Sequence, residues 1–440
     1  MNRVAHSKEK ISVFWFRRDL RLEDNTALAR ALGSGSPVMA LFIFDTQIID
    51  ELDHDDARVS FIYWQLKGIH QKLLALKSSL HVFRGDPLQV WEEVMSRHEI
   101  DAVYVNKDYE PYALKRDGEV GELLKSRRIP FYRFKDQVIF EEDEIVKSDD
   151  KPYTVFTPYK RKWLEKFHKG ADLEITGKGR SRFMKGSFSL PPMETLGLHP
   201  SSIQVLPYDL SNLKEYARMR DFPGPDATTY LSPHLRFGTV SIRQIIAGLE
   251  PSDEVFLSEL IWREFFMQIL YHFPKVVSQN FKPKYNGIEW LNKPDDFELW
   301  CEGKTGFPLV DAGMRQLNAT GYMHNRVRMV TAGFLCKHLL TDWRMGEGYF
   351  AGKLLDYELS SNNGNWQWAA GTGCDAAPYF RIFNPVEQLK KFDPDLEYVR
   401  RWIPEYGTAD YPDPMIDHKF ARKRALESYQ QGMQNYLPES

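Results

Sequence analysis

A chain of 440 residues, 42% hydrophobic and 27% charged, is long enough for two cores and a large buried ligand. No apolar run approaches the roughly 18–20 residues of a membrane helix, and none follows the N-terminal MNRVAHSKEK, so we expect no membrane span, no secretory signal and a cytoplasmic protein. Cys301, Cys336 and Cys374 are too few and too scattered for a disulfide framework or a zinc site, so neither is expected, and a net charge of −3 leaves nucleic-acid contact to a local patch.

In chain order, the β-type runs are ISVFWF (11–16), PVMALFIF (37–44), SLHVF (79–83), DAVYV (101–105) and IPFYRF (129–134). Helical patterns such as SFIYWQLKGIHQKLLALK (60–77) and PLQVWEEVMSRH (87–98) fill the gaps. Nearly continuous apolar strands alternating with helices predict a doubly wound parallel α/β domain, Rossmann-like, over residues 1–133. Such sheets bind ligands beyond the carboxyl ends of their strands, but neither GxGxxG nor a P-loop is present, which argues against a dinucleotide oxidoreductase or an ATPase. Periodicity fades over 134–205, and GKGRSRFMKGSFSLPPMETLG (177–197) reads as an interdomain linker. Between Tyr159 and Lys185 nine Lys/Arg face three Asp/Glu, with Tyr159, Trp163, Phe167 and Phe183 interleaved, and we read this as a solvated face. From 206 to 440 helical patterns dominate, predicting an all-α second domain.

Three constellations in that second part carry chemistry. Over 256–270, Phe256, Leu257, Leu260, Ile261 and Phe265 make a core stripe, while Glu259, Trp262, Arg263 and Phe266 share the other face. Glu259 and Arg263 read as an exposed i,i+4 ion pair or, given the aromatics, as a cavity for a flipped base, with stacking from Trp262, hydrogen bonds from Glu259 and phosphate contact from Arg263. At His324-Asn325-Arg326-Val327-Arg328-Met329, an amide, a cation and a thioether point one way, or else form an exposed basic first turn; His324 reads as a cap or core residue. Asp221-Phe222-Pro223 followed by Ala227-Thr228-Thr229-Tyr230-Leu231-Ser232-Pro233 reads as a phosphate cradle or a plain helix cap. Finally, SSNNGNWQWAA (360–370) combines turn residues with two indoles that are costly to place.

Together these residues are familiar. RRDLRLEDNTAL (17–28), ATTYLSPHLRFG (227–238), SELIWREFF (258–266), EGKTGFPLVDAGMRQL (302–317), GYMHNRVRMVTAGFL (321–335), DWRMGEGYF (342–350) and NNGNWQWAAGTGCDAAPYFRIFNP (362–385) resemble the photolyase/cryptochrome family, in particular its bacterial class I cyclobutane pyrimidine dimer photolyases. The resemblance implies FAD folded into the helical domain and an antenna chromophore at the α/β domain. It further implies light-driven electron transfer from reduced flavin to a pyrimidine dimer in ultraviolet-damaged DNA, and a monomeric protein. It assigns flavin contacts to Tyr216, Thr228, Thr229, Tyr230, Leu231, Ser232, Phe256, Glu259, Arg263, Asn325, Arg328, Asp356, Glu358 and Asn362, with Arg328 and Asp356 a buried pair and Asn362 beside flavin N5. Glu259, Trp262, Asn325 and Met329 match the lesion pocket, with Trp368 as a further wall; Arg220, Arg263, Arg326 and Arg381 match DNA phosphate contacts. Trp366, Trp343 and Trp290 match a chain carrying electrons to the flavin. Glu259, protonated by burial, would donate a hydrogen bond to a thymine carbonyl.

Within the family, Met329 follows the dimer-photolyase pattern and Trp368 the duplex-repair pattern. The alternatives are a DASH-type cryptochrome, which prefers single-stranded lesions, and a blue-light photoreceptor. In folate-binding relatives a glutamate and a lysine hold 5,10-methenyltetrahydrofolate. Glu110 matches the first, but Ser278 stands where the lysine would fall, so folate ranks ahead of a deazaflavin or FMN as the antenna without excluding them.

Overall fold

The computed structural model describes residues 10–173 and 182–436. They fall into two compact units, one of residues 10–141, 167–173, 182–206 and 232–249, the other of 142–166, 207–231 and 250–436.

In the first unit all five predicted strands form: β1 (Ile11–Phe16), β2 (Val38–Asp45), β3 (Leu80–Gly85), β4 (Ile100–Asn106) and β5 (Phe131–Phe134). They make one parallel sheet in the order β3-β2-β1-β4-β5. Every residue of β1 and β2 is buried, because both faces of the sheet are covered. The alternation hidden in the apolar run now shows: Phe14 and Phe16 enter one core with Phe42 and Phe44, while Val13 and Trp15 enter another with Leu41, Ile43 and Trp91. Covering helices start where aspartate or asparagine caps them, as Asn25 does for Thr26–Leu32 and Asp86, followed by a proline, for Pro87–Arg97. Strand order reverses between β1 and β4, the place where such sheets open a crevice.

The boundaries fall differently from those expected at 133 and 205, since residues 142–166 pack with the helical unit and 167–173 and 182–206 with the sheet. The reason lies in the aromatics of the basic run. Tyr159, Trp163 and Phe183 are among the most buried side chains, so the solvated-face reading holds only for the charges between them. Phe183 bridges to Val38 at the start of β2, and Met184 N–H donates to the Val38 carbonyl at 2.8 Å. Residues 174–181 of the expected linker lie outside the described residues. The helix Ile242–Ala247 also joins the sheet unit, its Arg243 bonded to Asp24 at 3.0 Å and Asp136 at 2.8 Å.

The second unit is helical as predicted, built on Glu254–His272, Pro308–Thr320, Asn325–Gly333, Trp343–Lys353, Leu359–Ala370 and His418–Asn435 around Trp300, Trp343 and Trp366. After Asn325–Gly333 the backbone continues as a π-helix, Phe334–His338, which turns Lys337 inward. Its ammonium donates to the carbonyls of Ala370 at 2.6 Å and Tyr379 at 3.3 Å and lies 3.6 Å from the centre of the Tyr429 ring. Burial lowers its pKa to about 7. The unfolded chain therefore holds this proton up to roughly pH 10 while the folded chain releases it near 7, and stability gains with rising pH across that window. Lys337→Met should flatten this gain: urea titrations at roughly pH 7 and pH 9.5 should show the wild type gaining on the order of 2–3 kcal/mol more than the variant. Equal gains would refute the assignment.

Candidate active site

The helix Glu254–His272 buries Phe256, Leu260, Ile261 and Phe265 of its expected stripe, leaves Leu257 partly exposed, and buries Phe266 as well. Glu259 and Arg263 do not bond each other as the i,i+4 pair but take partners from other elements. Glu259 accepts from Arg220 at 2.6 Å, and Arg263 reaches Glu358 at 3.2 Å. The Glu259 side chain is 31% exposed and ion-paired. Tyr216 packs edge-on against Phe256 at 5.1 Å, and burial, with Glu259 near, pushes its hydroxyl up to about 12. Trp262 remains partly exposed, with one face against Phe156.

At the next constellation His324 is the cap it was read as: its Nδ1 accepts the Arg326 N–H at 3.2 Å, and burial lowers its pKa to about 4. The exposed basic turn is only partly real, because each arginine has an acid. Arg326 bonds Asp221 at 2.6 Å and lies over the Phe392 ring at 4.4 Å. Arg328 forms the expected pair with Asp356 at 2.9 Å and also donates to the Met323 carbonyl at 2.8 Å, but the pair is partly exposed rather than buried, the Arg328 side chain being 27% accessible. Met329 sulfur lies 3.6 Å from an Arg326 nitrogen, and Asn325 is exposed at the helix start.

SSNNGNWQWAA is not a turn but part of the helix Leu359–Ala370. Its amides bond outside the helix: Asn363 and Gln367 both donate to the Val276 carbonyl, at 2.9 and 3.0 Å, holding the loop after Glu254–His272. Asn362 donates to the Glu347 side chain at 2.8 Å and to its carbonyl at 3.1 Å, and burial raises the Glu347 pKa. Glu347 was missed, although a glutamate between two helical glycines, Gly346-Glu347-Gly348, was a usable signal. Gly364 permits close approach, since a Cβ there would stand 2.2 Å from the Phe266 ring. Trp366 and Trp343 are buried in one cluster with Trp290 packed against it, and Trp343 donates to Asn280 at 2.8 Å. Trp300, also missed, is fully buried with its ring centre 6.1 Å from that of Trp366. Trp368 is partly exposed and Arg381 exposed.

The hydroxyl segment is irregular, with Asp226 at φ 47° and Tyr230 at φ 50°, strained values for such residues. Tyr230 donates to Asp226 at 2.6 Å, and Thr229 Oγ1 accepts the Leu231 N–H at 3.4 Å. Ser232 begins the stretch that packs with the sheet. In the sheet unit Glu110 is held by Arg18 at 3.2 Å and Arg236 at 3.3 Å, a commitment any antenna contact there must share. Among the described residues no cluster of three metal-ligating side chains occurs, and no helix is long and apolar enough to cross a membrane.

The residues present suit a flavin. In the helix that carries Asn362, the Ser360 hydroxyl is buried without a partner among the described residues, and the Arg328–Asp356 pair and the strained hydroxyl loop supply charge and donors in the same unit. Comparison agrees. Residues 256–410 match the FAD binding domain of DNA photolyase and 12–176 the DNA photolyase family. The deoxyribodipyrimidine photo-lyase of Escherichia coli is 37% identical, over 94% of this chain and 98% of its own. A bacterial class III photolyase from Agrobacterium tumefaciens superposes with a TM-score of 0.88 at 31% identity, covering 99% of this chain and 100% of its own. A Synechocystis cryptochrome does so with 0.84 at 26%, covering 96% and 99%. The chain belongs to the DNA photolyase family and carries its FAD-binding domain.

Proposed function

We propose that the protein is a light-driven DNA repair lyase acting on cyclobutane pyrimidine dimers. The observation that carries this reading is the meeting, in one helical unit of a photolyase-family chain, of the Arg328–Asp356 pair with a partly exposed Trp262 backed by aromatic rings. When bound, FAD supplies a light-excited electron that returns once the two cyclobutane C–C bonds have opened, so neither nucleophile nor metal is needed. Thr228, Thr229, Tyr230, Asn325, Arg328, Asp356 and Asn362 are the residues that would hold it. Arg328 contributes fixed positive charge, and Glu347 holds the Asn362 amide nitrogen, so that the amide oxygen would be available to the cofactor.

Trp262, Met329 and Trp368 wall the base pocket with Glu259, and Arg220, matched to a phosphate contact, is already ion-paired with Glu259. Arg263, Arg326 and Arg381 meet phosphates, and Trp366, Trp343 and Trp290 relay electrons. A light-harvesting chromophore belongs with the sheet unit, folate ahead of a deazaflavin or FMN, and the protein acts as a monomer in the cytoplasm.

Similarity to a cryptochrome keeps a second reading, a DASH-type enzyme that prefers single-stranded lesions and repairs duplexes little. Illuminating reduced protein with the same dimer in single-stranded and in duplex DNA separates the two. Repair of both supports the proposal, and repair of single strands alone supports the second reading.

A further inference from the structure

Phe156 lies flat on Trp262, with ring centres 3.7 Å apart and planes 10° from parallel, and its edge meets Phe265 at 5.8 Å. Its N–H donates to Asp375 at 3.0 Å. The helix that carries it, Phe156–Lys166, is pinned from within by Glu264, whose carboxylate accepts from Trp163 Nε1 at 2.6 Å and from the Tyr159 hydroxyl at 3.3 Å; all three side chains are buried. Lys160 reaches Glu254 at 3.4 Å on the outside, and Lys166 donates to the Glu144 carbonyl at 2.8 Å. This stretch, read from sequence as a solvated connection, is thus a fixed brace behind a tryptophan that keeps part of its surface open.

We propose that Phe156 is a positioning residue for the repair reaction: it closes one face of Trp262 and holds the indole ready to stack on an extruded base. The inference rests on reading Trp262 as a wall of the lesion pocket. An unsupported indole would lose rotamer freedom on stacking, whereas one already packed against a fixed ring loses little, and the difference appears as affinity. A flat ring is what the position needs, because an aliphatic side chain of similar volume fills the space without fixing the plane of the indole.

The experiment measures binding of dimer-containing and undamaged DNA, and light-driven repair at saturating DNA, for Phe156→Ala, Phe156→Leu and Trp262→Ala, each checked for wild-type flavin content. Phe156→Ala and Phe156→Leu should both weaken dimer binding roughly tenfold while repair of the bound dimer stays within about twofold and undamaged DNA binds as before. Wild-type dimer binding in both Phe156 variants, with Trp262→Ala weakened, overturns the inference alone. Wild-type binding in Trp262→Ala overturns the lesion-wall reading and the inference with it. Lowered flavin content in Phe156→Ala but not in Phe156→Leu leaves the decision to the leucine variant, whose apolar volume preserves the packing.

Discussion

Trp366→Phe is expected to slow light-driven reduction of bound FAD by at least about 100-fold, some 3 kcal/mol in barrier, while repair by chemically reduced protein stays within about twofold. The side chain is buried in the cluster that also takes in Trp343 and Trp290, and phenylalanine keeps most of its contacts with Phe350 while removing the more easily oxidised indole. Transient absorption on oxidised protein in the presence of a thiol reductant reads the first quantity and a steady-state repair assay the second. Equal photoreduction in variant and wild type would move the route elsewhere. Trp300, 6.1 Å from Trp366, is the first alternative to substitute.

The second large effect comes from one helix. In Trp343–Lys353, a Cβ on Gly346 would stand 2.2 Å from the Trp366 ring and 2.5 Å from Leu335, both buried and closely packed. Neither neighbour can withdraw, so Gly346→Ala should cost about 3 kcal/mol or more. Two residues on, Gly348 has nothing within 4 Å of the same hypothetical atom. Gly348→Ala should therefore gain about 0.5–1 kcal/mol from helix propensity. Urea midpoints of the two variants against wild type measure both signs, and a similar loss in both would mean that helix geometry rather than the Trp366 contact sets the requirement.

The sheet was readable because its central strands β1 and β2 are apolar on both faces, a pattern that local residues reveal without knowledge of their partners. The unit boundaries were not, since the aromatics that tie 142–166 to the helical unit sit within a run whose charges dominate its composition. SSNNGNWQWAA shows the same limit more sharply. Asparagine and glycine favour turns locally, but Asn363 and Gln367 find the Val276 carbonyl, Asn362 finds Glu347 and Gly364 meets Phe266, so tertiary partners hold the segment helical. At the site, the Arg328–Asp356 pair followed from the family resemblance and is present. The Glu259–Arg220 and Arg263–Glu358 pairs were not legible, because i,i+4 spacing on one helix pointed to the wrong partners. Phe156 carried no signal at all, its importance lying wholly in what it touches.

Light-dependent turnover tests the central claim most directly. Reduced protein at a small fraction of the concentration of a dimer-containing oligonucleotide is illuminated with blue light, and intact pyrimidines are counted against a dark control. Many dimers split per protein molecule in the light, and none in the dark, is the predicted result. Flavin that responds to light while the dimers remain unsplit would contradict the account and make the chain a photoreceptor.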